Sequence, residues 1–566
     1  MESTSPPARS PGSQRTIGSR LPSRRQVALA LAGVLALAAA LRLPHLGYGL
    51  PGTTYVDGFR FVDEARKLAA DGAYEPDDFM YPGLLKLLLA MIYGAFGVEG
   101  RAALYLVPRL AATAFDLGTV AVVFALARRL GGLRAAILAA GLHAASIIFV
   151  TSSRVESADA ALAFFLTAAL AATFVRRVRL LHCTGAGLLV GLAIGTKFSG
   201  VYGALALVFG GVLAVRQGLR AWKAAAGVAV GGVIALVTFL ATTPWFLTNL
   251  PVFRMAIEVQ AEAQRYGQIG HVQSSFFDYL VSPTVTVEQP WLASSLLYNL
   301  GPLVLVAGLA ATLAALAGRL PRHARPRLPA RLLGVYLVLF YVGVAGAGHA
   351  KLIRYLAPVL PVFSVLAGVG VARLLSERRA PRSALAWPLV AAALLAWPLA
   401  RTAPYLAAAS RPMTNELAAA WTRTNLPAGA SVLLSPFYLD NLRRPDLHIL
   451  NLKGAATTQY RLTTSIGVDT EQRPLYRPEL VDSAREAGIE YVLLNSYFEG
   501  SIYDTEENRR WFPKTVAAYA AFRERLEHEA ELVFSVRGQD EGRLGPDVHV
   551  YRLKAREPRS EGASPP

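Results

Sequence analysis

The sequence predicts an all-α polytopic membrane protein with about eleven transmembrane helices, followed by a C-terminal extracytoplasmic α/β domain. Only 17% of the 566 residues are charged, the mean hydropathy is +0.37, and apolar runs too long for ordinary core helices recur along the chain. Arginines cluster in the short connections between these runs. We therefore interpret the formal net charge of +18 as arginines that mark the cytoplasmic connections of a membrane protein. Membrane lipids are expected partners, and nucleic acid is not.

The order of the apolar segments predicts which side of the membrane each connection faces. Residues 82–97 decide on which side of the membrane the later connections lie. If this segment crossed the membrane, every later arginine cluster would move to the other side. If it lies along the interface, all clusters share the cytoplasmic side with the N-terminus. The C-terminus is then outside, and the predicted spans are 26–43, 104–128, 134–150, 158–175, 183–196, 199–215, 222–245, 296–317, 331–348, 354–374 and 384–402.

Composition divides the chain into four regions. Both ends are rich in Pro, Ser and charged residues, which predicts disorder. The segment after the last span interleaves charges with amphipathic helices and five short β-rich runs: SVLLSPF, LHILNL, YVLLNSY, LVFSVR and VHVYRL. The predicted regions are a cytoplasmic tail (1–25), a transmembrane module (26–402) with a first outer loop (44–103) and a third outer loop (246–295), an extracytoplasmic α/β domain (411–556) and a disordered tail (557–566).

Cys183 is the single cysteine, which excludes an internal disulfide and any multi-cysteine metal site.

The first outer loop contains the strongest candidate for a reacting carboxylate, Asp57. Phe59, Val62, Ala65 and Leu68 recur at helical spacing, so an amphipathic helix begins just after Asp57. A carboxylate at that position is stabilised as an anion by free backbone amides and the helix dipole. Two interpretations stay open: Asp57 reacts, or it is the N-cap of the helix.

A second acidic cluster, SSRVESADAAL, opens the fourth span. Glu156 and Asp159 are three residues apart, which predicts that a helix presents both carboxylates on one face, with Arg154 beside them. Acids facing lipid are costly, so they should point into the bundle or a wet cavity. A substrate site and a structural Arg–Glu–Asp network both explain the cluster.

Basic residues at the outer ends of the spans are unusual, because positive charge prefers the cytoplasmic side. Each therefore needs a partner: a lipid headgroup reached by snorkelling, or a phosphate on a membrane-borne substrate. The candidate substrate-binding residues are Arg154, Lys197 in GTKFSG, His349, Lys351 and Arg354 in GHAKLIRYLAPVLP, and Arg265 and His271 in the third outer loop.

The order and sidedness of several stretches resemble the glycosyltransferase-C superfamily. They are Asp57 with the helix and loop that follow, PxxFxYP (Pro76, Phe79, Tyr81, Pro82) with an interfacial helix, and then RxExxD, GxxxGTKFSG and RYLAPVLP. The likeness is to bacterial relatives of dolichyl-phosphate-mannose protein mannosyltransferases and to lipid A aminoarabinose transferases. It covers residues 26–400, approximately the transmembrane module.

The resemblance implies an inverting glycosyltransferase in the bacterial plasma membrane, acting on its outer face. A sugar would pass from a polyprenyl-phosphate donor to a protein, lipid or glycan acceptor. Asp57 matches the family's essential acid, a general base; Glu156 and Asp159 match a second acidic site, and Lys197 and Arg354 match positions that hold the lipid phosphate. Gly58 stands where the family usually has Glu. A divalent metal ion is the candidate cofactor, with Asp57 and Asp159 as its candidate ligands.

The residue types agree with such a displacement, which needs a base near the acceptor and cations for the departing phosphate. The sequence has no P-loop, HExxH or GxSxG pattern, which leaves nucleotide hydrolysis, zinc proteolysis and serine hydrolysis without support. The alternatives are a multi-pass transporter or lipid flippase, and an inactive relative that acts as an envelope scaffold. Transporters tend to carry inverted repeats and ionisable groups near the midplane. This sequence shows no internal repeat, and its ionisable groups cluster at one boundary.

Overall fold

Helices form most of the chain, and a small sheet forms near its C-terminus. A computed structural model describes residues 22–52, 54–71, 78–266, 275–282, 291–320, 327–346, 348–377, 383–435, 444–451, 476–499 and 506–554. The two predicted disordered tails fall mainly outside these ranges, as do Pro76 and His271.

The helical module runs from residue 24 to residue 409. Its helices are α1 (Arg24–Arg42), α2 (Phe59–Asp71), α3 (Leu84–Phe96), α4 (Arg101–Ala145), α5 (Ile147–Ser152), α6 (Asp159–Thr173), α7 (Leu180–Thr196), α8 (Ala204–Arg216), α9 (Ala221–Thr242), α10 (Leu250–Tyr266), α11 (Asp278–Val281), α12 (Leu296–Leu300), α13 (Pro302–Leu316), α14 (Arg327–Ala345), α15 (Leu360–Glu377) and α16 (Ser383–Ala409). Short 3₁₀ turns occur at Phe198–Gly203, Pro244–Phe246 and Ile353–Leu356.

Apolar helices of the length that a bilayer requires confirm a multi-pass membrane module. In the described part of the chain six helices are long and apolar enough to cross, and five more are apolar but shorter. Helix α4 is really two helices, because Gly132 has a non-helical backbone (φ 82°, ψ −170°). The predicted count of eleven spans is compatible with these helices and stays a prediction.

Helix α3 is the apolar segment that the distribution of arginines predicts not to cross the membrane. It has 13 residues, and at 1.5 Å per residue it rises only about 20 Å, short of the roughly 30 Å hydrocarbon core. It packs against α2, so the two helices form one unit within the connection between α1 and α4. Its length is compatible with an interfacial position, which stays a prediction.

Small residues let the membrane helices approach closely. A Cβ added at Gly187 in α7 would lie 2.2 Å from the carbonyl oxygen of Gly231 in α9. In the same way, a Cβ added at Gly368 in α15 would lie 2.8 Å from the Cβ of Ala139 in α4. Because lipid supplies little hydrophobic drive between helices, such contacts hold the bundle by van der Waals packing.

A fully buried charged group ties α1 to both halves of α4. The guanidinium of Arg42 donates to Asp116 through Nε and to the carbonyl of Ala144 at 2.8 Å through Nη1. The other oxygen of Asp116 lies 2.9 Å from Nε2 of His143. Because all three ionisable side chains are buried, the carboxylate needs these partners inside the bundle.

The C-terminal domain is a three-layer α/β unit, as the sequence predicts. All five β-rich runs become strands: β1 (Ser431–Leu434), β2 (His448–Asn451), β3 (Tyr491–Asn495), β4 (Ala530–Val536) and β5 (Val548–Leu553), with helices α17 (Thr414–Asn425), α18 (Glu479–Glu486), α19 (Ser496–Glu499), α20 (Glu506–Trp511) and α21 (Pro513–Glu529). The sheet order is β2-β1-β3-β5-β4, with β2, β1 and β3 parallel and β5 antiparallel to both neighbours.

Side chains alternate between the two faces of this sheet. One face packs on α18 and α21, whose buried residues include Val481 and Phe522. The other face packs on α17, which buries Ala418 against Val432 and Leu493. The helices that cover both faces explain why the parallel strands read as nearly continuous apolar runs.

The domain docks directly on the helical module. Met413 and Leu544 belong to the module's hydrophobic core, and the amide of Thr414 donates to the carbonyl of Leu544 at 3.1 Å. Met413 also packs on Gly49, where an added Cβ would lie 2.2 Å from its sulfur. The C-terminal domain therefore contacts the same connection that carries Asp57.

Glu499 should make the stability of the C-terminal domain depend on pH. Burial raises the pKa of Glu499 to about 7, against the pull of Arg523 at 3.8 Å and a hydrogen bond from Tyr519. The folded domain thus holds this proton more tightly than the unfolded chain, and stability should fall as pH rises from about 4.5 to about 7 and then level off.

The substitution Glu499→Gln should remove this slope and stabilise the domain above pH 7 by up to about 3 kcal/mol. Hydrogen exchange of the β3 and β5 amides in the full-length protein measures the effect. The exposed Glu531→Gln variant is the control. A slope that persists in Glu499→Gln would contradict the assignment.

Candidate active site

Four charged side chains that are far apart in sequence meet at one end of the helical bundle. Asp57 lies in the turn before α2, Asp159 begins α6, Lys197 directly follows α7, and Arg354 lies in the 3₁₀ turn after α14. Arg354 Nη2 is 4.0 Å from Asp57 Oδ2, and Lys197 Nζ is 2.9 Å from Asp159 Oδ1. The structure thus brings together four of the five residues that the resemblance assigns to catalysis and phosphate binding; the fifth, Glu156, pairs with Arg109 instead.

The carboxylate of Asp57 is held by side chains of this cluster. The hydroxyl of Tyr81 donates to Oδ2 at 2.9 Å, and Nε of Arg60 donates to Oδ1 at 3.1 Å. Burial raises the pKa of Asp57, but the charges of Arg60 and Arg354 and the bond from Tyr81 hold that pKa below its ordinary value. The carboxylate of Asp57 thus has side-chain partners from α2 and from the segment before α3.

Arg60 connects Asp57 to a second carboxylate, Asp78. Nη1 of Arg60 lies 2.5 Å from Asp78 Oδ2, and the amide of Met80 donates to Asp78 Oδ1 at 2.7 Å. Lys86 of α3 donates to the carbonyl oxygen of Asp78. Sequence reasoning missed these residues, although Arg60 lies one helical turn beyond Asp57, which is a usable signal.

The side chains of Arg354 and Lys197 each lie over an aromatic ring and beside a carboxylate. Arg354 donates to the hydroxyl oxygen of Tyr55 at 2.6 Å and lies 5.6 Å from the centre of that ring. Lys197 lies 5.5 Å from the centre of the Tyr355 ring. Their side chains remain 16% and 17% exposed, and that of Asp57 19% exposed. The cluster is therefore partly open to solvent, unlike the buried Arg42 group.

Glu156 does not share a helix face with Asp159, so that prediction is wrong. Helix α6 begins at Asp159, where the hydroxyl of Ser157 accepts from the Asp159 amide at 3.0 Å. Residues 154–158 form a bend before this cap. Glu156 instead points to α4, where Nε of Arg109 lies 2.6 Å from its Oε1, with both side chains fully buried.

Gly58 allows the turn beside Asp57 to close over Glu156. A Cβ at position 58 would lie 3.2 Å from Glu156 Oε2 and 3.1 Å from the carbonyl oxygen of Tyr55. These distances are tight for any larger residue. The resemblance places Glu at position 58, and in this chain the nearest carboxylate there comes from Glu156.

The other predicted substrate-binding residues lie elsewhere. Arg154 is buried between the rings of Tyr48 and Tyr405 and donates to the carbonyl of His45 at 3.2 Å. Lys351 is buried beside Asp278 (3.5 Å) and Ser282 (3.1 Å).

Both remaining predicted residues that the structure describes, Arg265 and His349, are exposed. The backbone amide of His349 donates to the carbonyl oxygen of Gln264 in α10 at 2.6 Å.

The predicted metal ligands, Asp57 and Asp159, are both hydrogen-bonded to protein groups in this structure. The oxygens of Asp57 accept from Arg60 and Tyr81, and those of Asp159 accept from Lys197 and Ser157. Within the described ranges no group of three or more His, Cys, Asp or Glu side chains could hold a metal.

A family model supports the resemblance for part of the chain. The model for dolichyl-phosphate-mannose-protein mannosyltransferases matches residues 82–245. This stretch runs from the start of α3 into the connection after α9 and includes Asp159 and Lys197. Among curated proteins, no sequence matches this chain.

Solved structures show the fold over nearly the whole chain. ArnT from Cupriavidus metallidurans bound to undecaprenyl phosphate superposes with a TM-score of 0.54 at 17% identity, covering 94% of this chain and 98% of that one. The oligosaccharyltransferase of Archaeoglobus fulgidus gives 0.55 at 13% identity, covering 90% and 73%. The latter was also solved in complex with Zn and sulfate, with a TM-score of 0.50 at 12% identity, covering 91% and 72%.

The chain therefore shares the fold of these two proteins, a bundle of apolar helices with an α/β domain at the C-terminus. The expectation of fold class from sequence is confirmed.

The buried pair of Arg109 and Glu156 should matter for folding. Arg109→Met leaves a buried carboxylate without its cation, so we expect a loss of about 3–5 kcal/mol in the free energy of unfolding. The double variant Arg109→Met/Glu156→Gln should recover part of that loss. Thermal unfolding of the purified protein measures both. If the single variant unfolds like the parent, the pair is not a structural anchor.

Proposed function

We propose that this protein transfers a sugar from a polyprenyl-phosphate donor to an acceptor hydroxyl or amine. The observation that carries the proposal is the meeting of Asp57, Asp159, Lys197 and Arg354 in one partly open cluster. The cluster offers both components of the reaction, an anionic base and paired cations. Charge-assisted contacts from Arg and Lys are the usual way to hold a phosphate.

The reaction follows from the positions of these groups. Asp57 accepts the proton of the acceptor as the acceptor oxygen or nitrogen bonds to the anomeric carbon of the sugar. The bond between that carbon and the phosphate oxygen breaks, and its electron pair leaves with the phosphate. Lys197 and Arg354 stabilise the negative charge that develops there. A single displacement of this kind inverts the anomeric carbon.

The related structures support the kind of substrate. ArnT is described with undecaprenyl phosphate, which is a polyprenyl phosphate. The Archaeoglobus fulgidus oligosaccharyltransferase was also solved tethered to an acceptor peptide, with a TM-score of 0.54 at 12% identity. The cluster in this chain lies at one end of the bundle, where a lipid-borne donor and an acceptor from the aqueous side both have access.

The positive-inside argument supports a location on the outer face of a bacterial plasma membrane. The site, the first connection and the C-terminal domain then share the extracytoplasmic side. Membrane lipids surround the module, and the acceptor is a protein, a lipid or a glycan outside the cytoplasm.

Replacing Asp57 tests its role as base. Asp57→Asn keeps the size and one hydrogen-bond acceptor but removes the charge, so transfer should fall by about two to four orders of magnitude. Asp63→Asn, which alters an exposed acid of the same helix, is the matched control and should stay active. Reconstituted transfer to a panel of acceptors measures both. Activity near the parent level in Asp57→Asn would assign Asp57 to capping.

Replacing Lys197 or Arg354 with Met tests phosphate binding. Each change should weaken the binding of undecaprenyl phosphate by about 1.5–3 kcal/mol, the scale of a hydrogen bond to a charged group. Arg254→Met, at an α10 residue 80% exposed, is the control and should bind like the parent. In kinetics the apparent donor KM should rise while acceptor affinity is unchanged. Parent-like affinity in both Met variants would mean that these cations contact lipid headgroups instead.

A further inference from the structure

A large basic surface lies at the end of the bundle opposite the candidate active site. Lys197 follows the C-terminal end of α7, whereas this surface surrounds the start of the same helix. Three segments form it, 128–131, 174–182 and 216–223, and none of them contains Asp or Glu. We define the basic surface by its cations, which are Arg128, Arg129, Arg176, Arg177, Arg179, Arg216, Arg220 and Lys223.

Hydrogen bonds between helix ends bring the three segments together. Nη1 of Arg129 donates to the carbonyl oxygens of Ala171 at 2.9 Å and Phe174 at 3.4 Å, where α6 ends. The side chain of Gln217, which follows α8, accepts from the amide of Val178 at 2.7 Å. The connection between α6 and α7 is therefore tied to both of the other segments.

Helices α7 and α9 begin side by side at this surface. A Cβ added at Gly187 of α7 would lie 2.2 Å from the carbonyl oxygen of Gly231 in α9, and one added at Gly191 would lie 2.5 Å from that of Ala235. Because these contacts advance in the same direction along both helices, the helices are parallel. Each is directly preceded by an arginine, so the two arginines lie near each other.

The charges of the basic surface are not compensated by the protein. All of its cationic side chains are exposed. Within the described ranges, none of them forms an ion pair with a carboxylate. Like charges gathered in this way repel one another and weaken a compact structure. An anion from outside the protein would offset this repulsion.

Exposed apolar side chains adjoin the cations. Leu180 and Leu181 directly follow Arg179 and are 58% and 77% exposed. Trp222 precedes Lys223 and is 64% exposed, and Trp is enriched at membrane–water interfaces. A soluble polyanion would leave these apolar side chains in water. A phospholipid instead places acyl chains beside them and its phosphate beside the cations.

We propose that the basic surface binds an anionic phospholipid of the bilayer, with the headgroup phosphates held by the arginines that precede α7 and α9. Basic pockets between transmembrane helices on the cytoplasmic side are suited to such headgroups, and this end of the bundle is the predicted cytoplasmic side. A lipid with two phosphates, such as cardiolipin, matches the number of cations best. The bound lipid stabilises the adjoining ends of α6, α7, α8 and α9. Lipid binding here is independent of the sugar transfer proposed above.

Native mass spectrometry of the full-length protein in neutral detergent tests the proposal, with cardiolipin and phosphatidylcholine as probes. The parent should bind cardiolipin more tightly than phosphatidylcholine. The variant Arg176→Gln/Arg177→Gln/Arg179→Gln should bind cardiolipin at least about tenfold more weakly, because each basic residue near an anionic headgroup contributes roughly fivefold. Its affinity for phosphatidylcholine should not change.

A matched variant separates a specific site from general attraction between positive charge and anionic lipid. Arg319→Gln/Arg327→Gln/Arg331→Gln removes the same charge from exposed positions of another predicted cytoplasmic connection. This control should bind cardiolipin like the parent. Lys at positions 176, 177 and 179 keeps the charge and should retain the binding. In nanodiscs, cardiolipin should raise the unfolding temperature of the parent more than that of the Gln variant of the basic surface.

Three results would overturn the proposal. The first is a parent that binds both lipids equally, and the second is an equal loss of cardiolipin binding in both triple Gln variants, which would show an effect of net charge alone. The third is displacement of cardiolipin by an equal concentration of inorganic pyrophosphate, because the surface would then recognise phosphate without the lipid.

Discussion

One guanidinium, that of Arg109, connects the parts of the chain on which the site depends. Its Nη1 donates to the carbonyls of Leu46 and Tyr48 at 2.8 Å, its Nη2 to the hydroxyl of Thr54 at 2.6 Å, and its Nε to Glu156 at 2.6 Å. Asp57 lies three residues beyond Thr54, and Asp159 three residues beyond Glu156. Because a buried carboxylate must keep its cation, this contact fixes the first connection against the start of α6.

The cluster at the end of the bundle uses the same chemistry in a setting that solvent reaches. Carboxylates and cations are paired there too, but Asp57, Arg354 and Lys197 stay partly exposed, and only Asp159 is buried. An incoming anion can therefore compete for Arg354 and Lys197, which it cannot do at the fully buried pairs. We infer that the fully buried charged groups stabilise the fold, whereas the partly exposed cations are available to a substrate.

Sequence reasoning predicted the features that depend on local pattern. The amphipathic helix after Asp57, the apolar helices and all five strands of the C-terminal domain follow from periodicity and composition, and each is present. Reasoning from the rarity of cations at the predicted outer ends of spans selected Lys197 and Arg354, which the structure places beside carboxylates. The same reasoning selected Lys351, which is buried beside Asp278, because rarity alone does not distinguish a binding residue from a structural one.

The features that sequence reasoning missed depend on tertiary contacts. Helix α6 begins at Asp159, whose amide donates to the hydroxyl of Ser157, while Glu156 pairs with Arg109, which lies 47 residues earlier in the chain. Arg109 itself was a detectable signal, since a charged residue within an apolar span calls for a buried partner. The pairing of Arg60 with Asp78 was not predictable, because the chain between them can follow many paths.

We propose that Lys197 and Arg354 hold the phosphate of a lipid donor beside Asp57. An electron cryo-microscopy map of the full-length protein in nanodiscs containing undecaprenyl phosphate tests it most directly. We expect phosphate density within about 3–4 Å of Lys197 Nζ and of the Arg354 guanidinium, which is the range of charge-assisted contacts. Phosphate density at another position, with Arg354 and Lys197 still paired to Asp57 and Asp159, would contradict it.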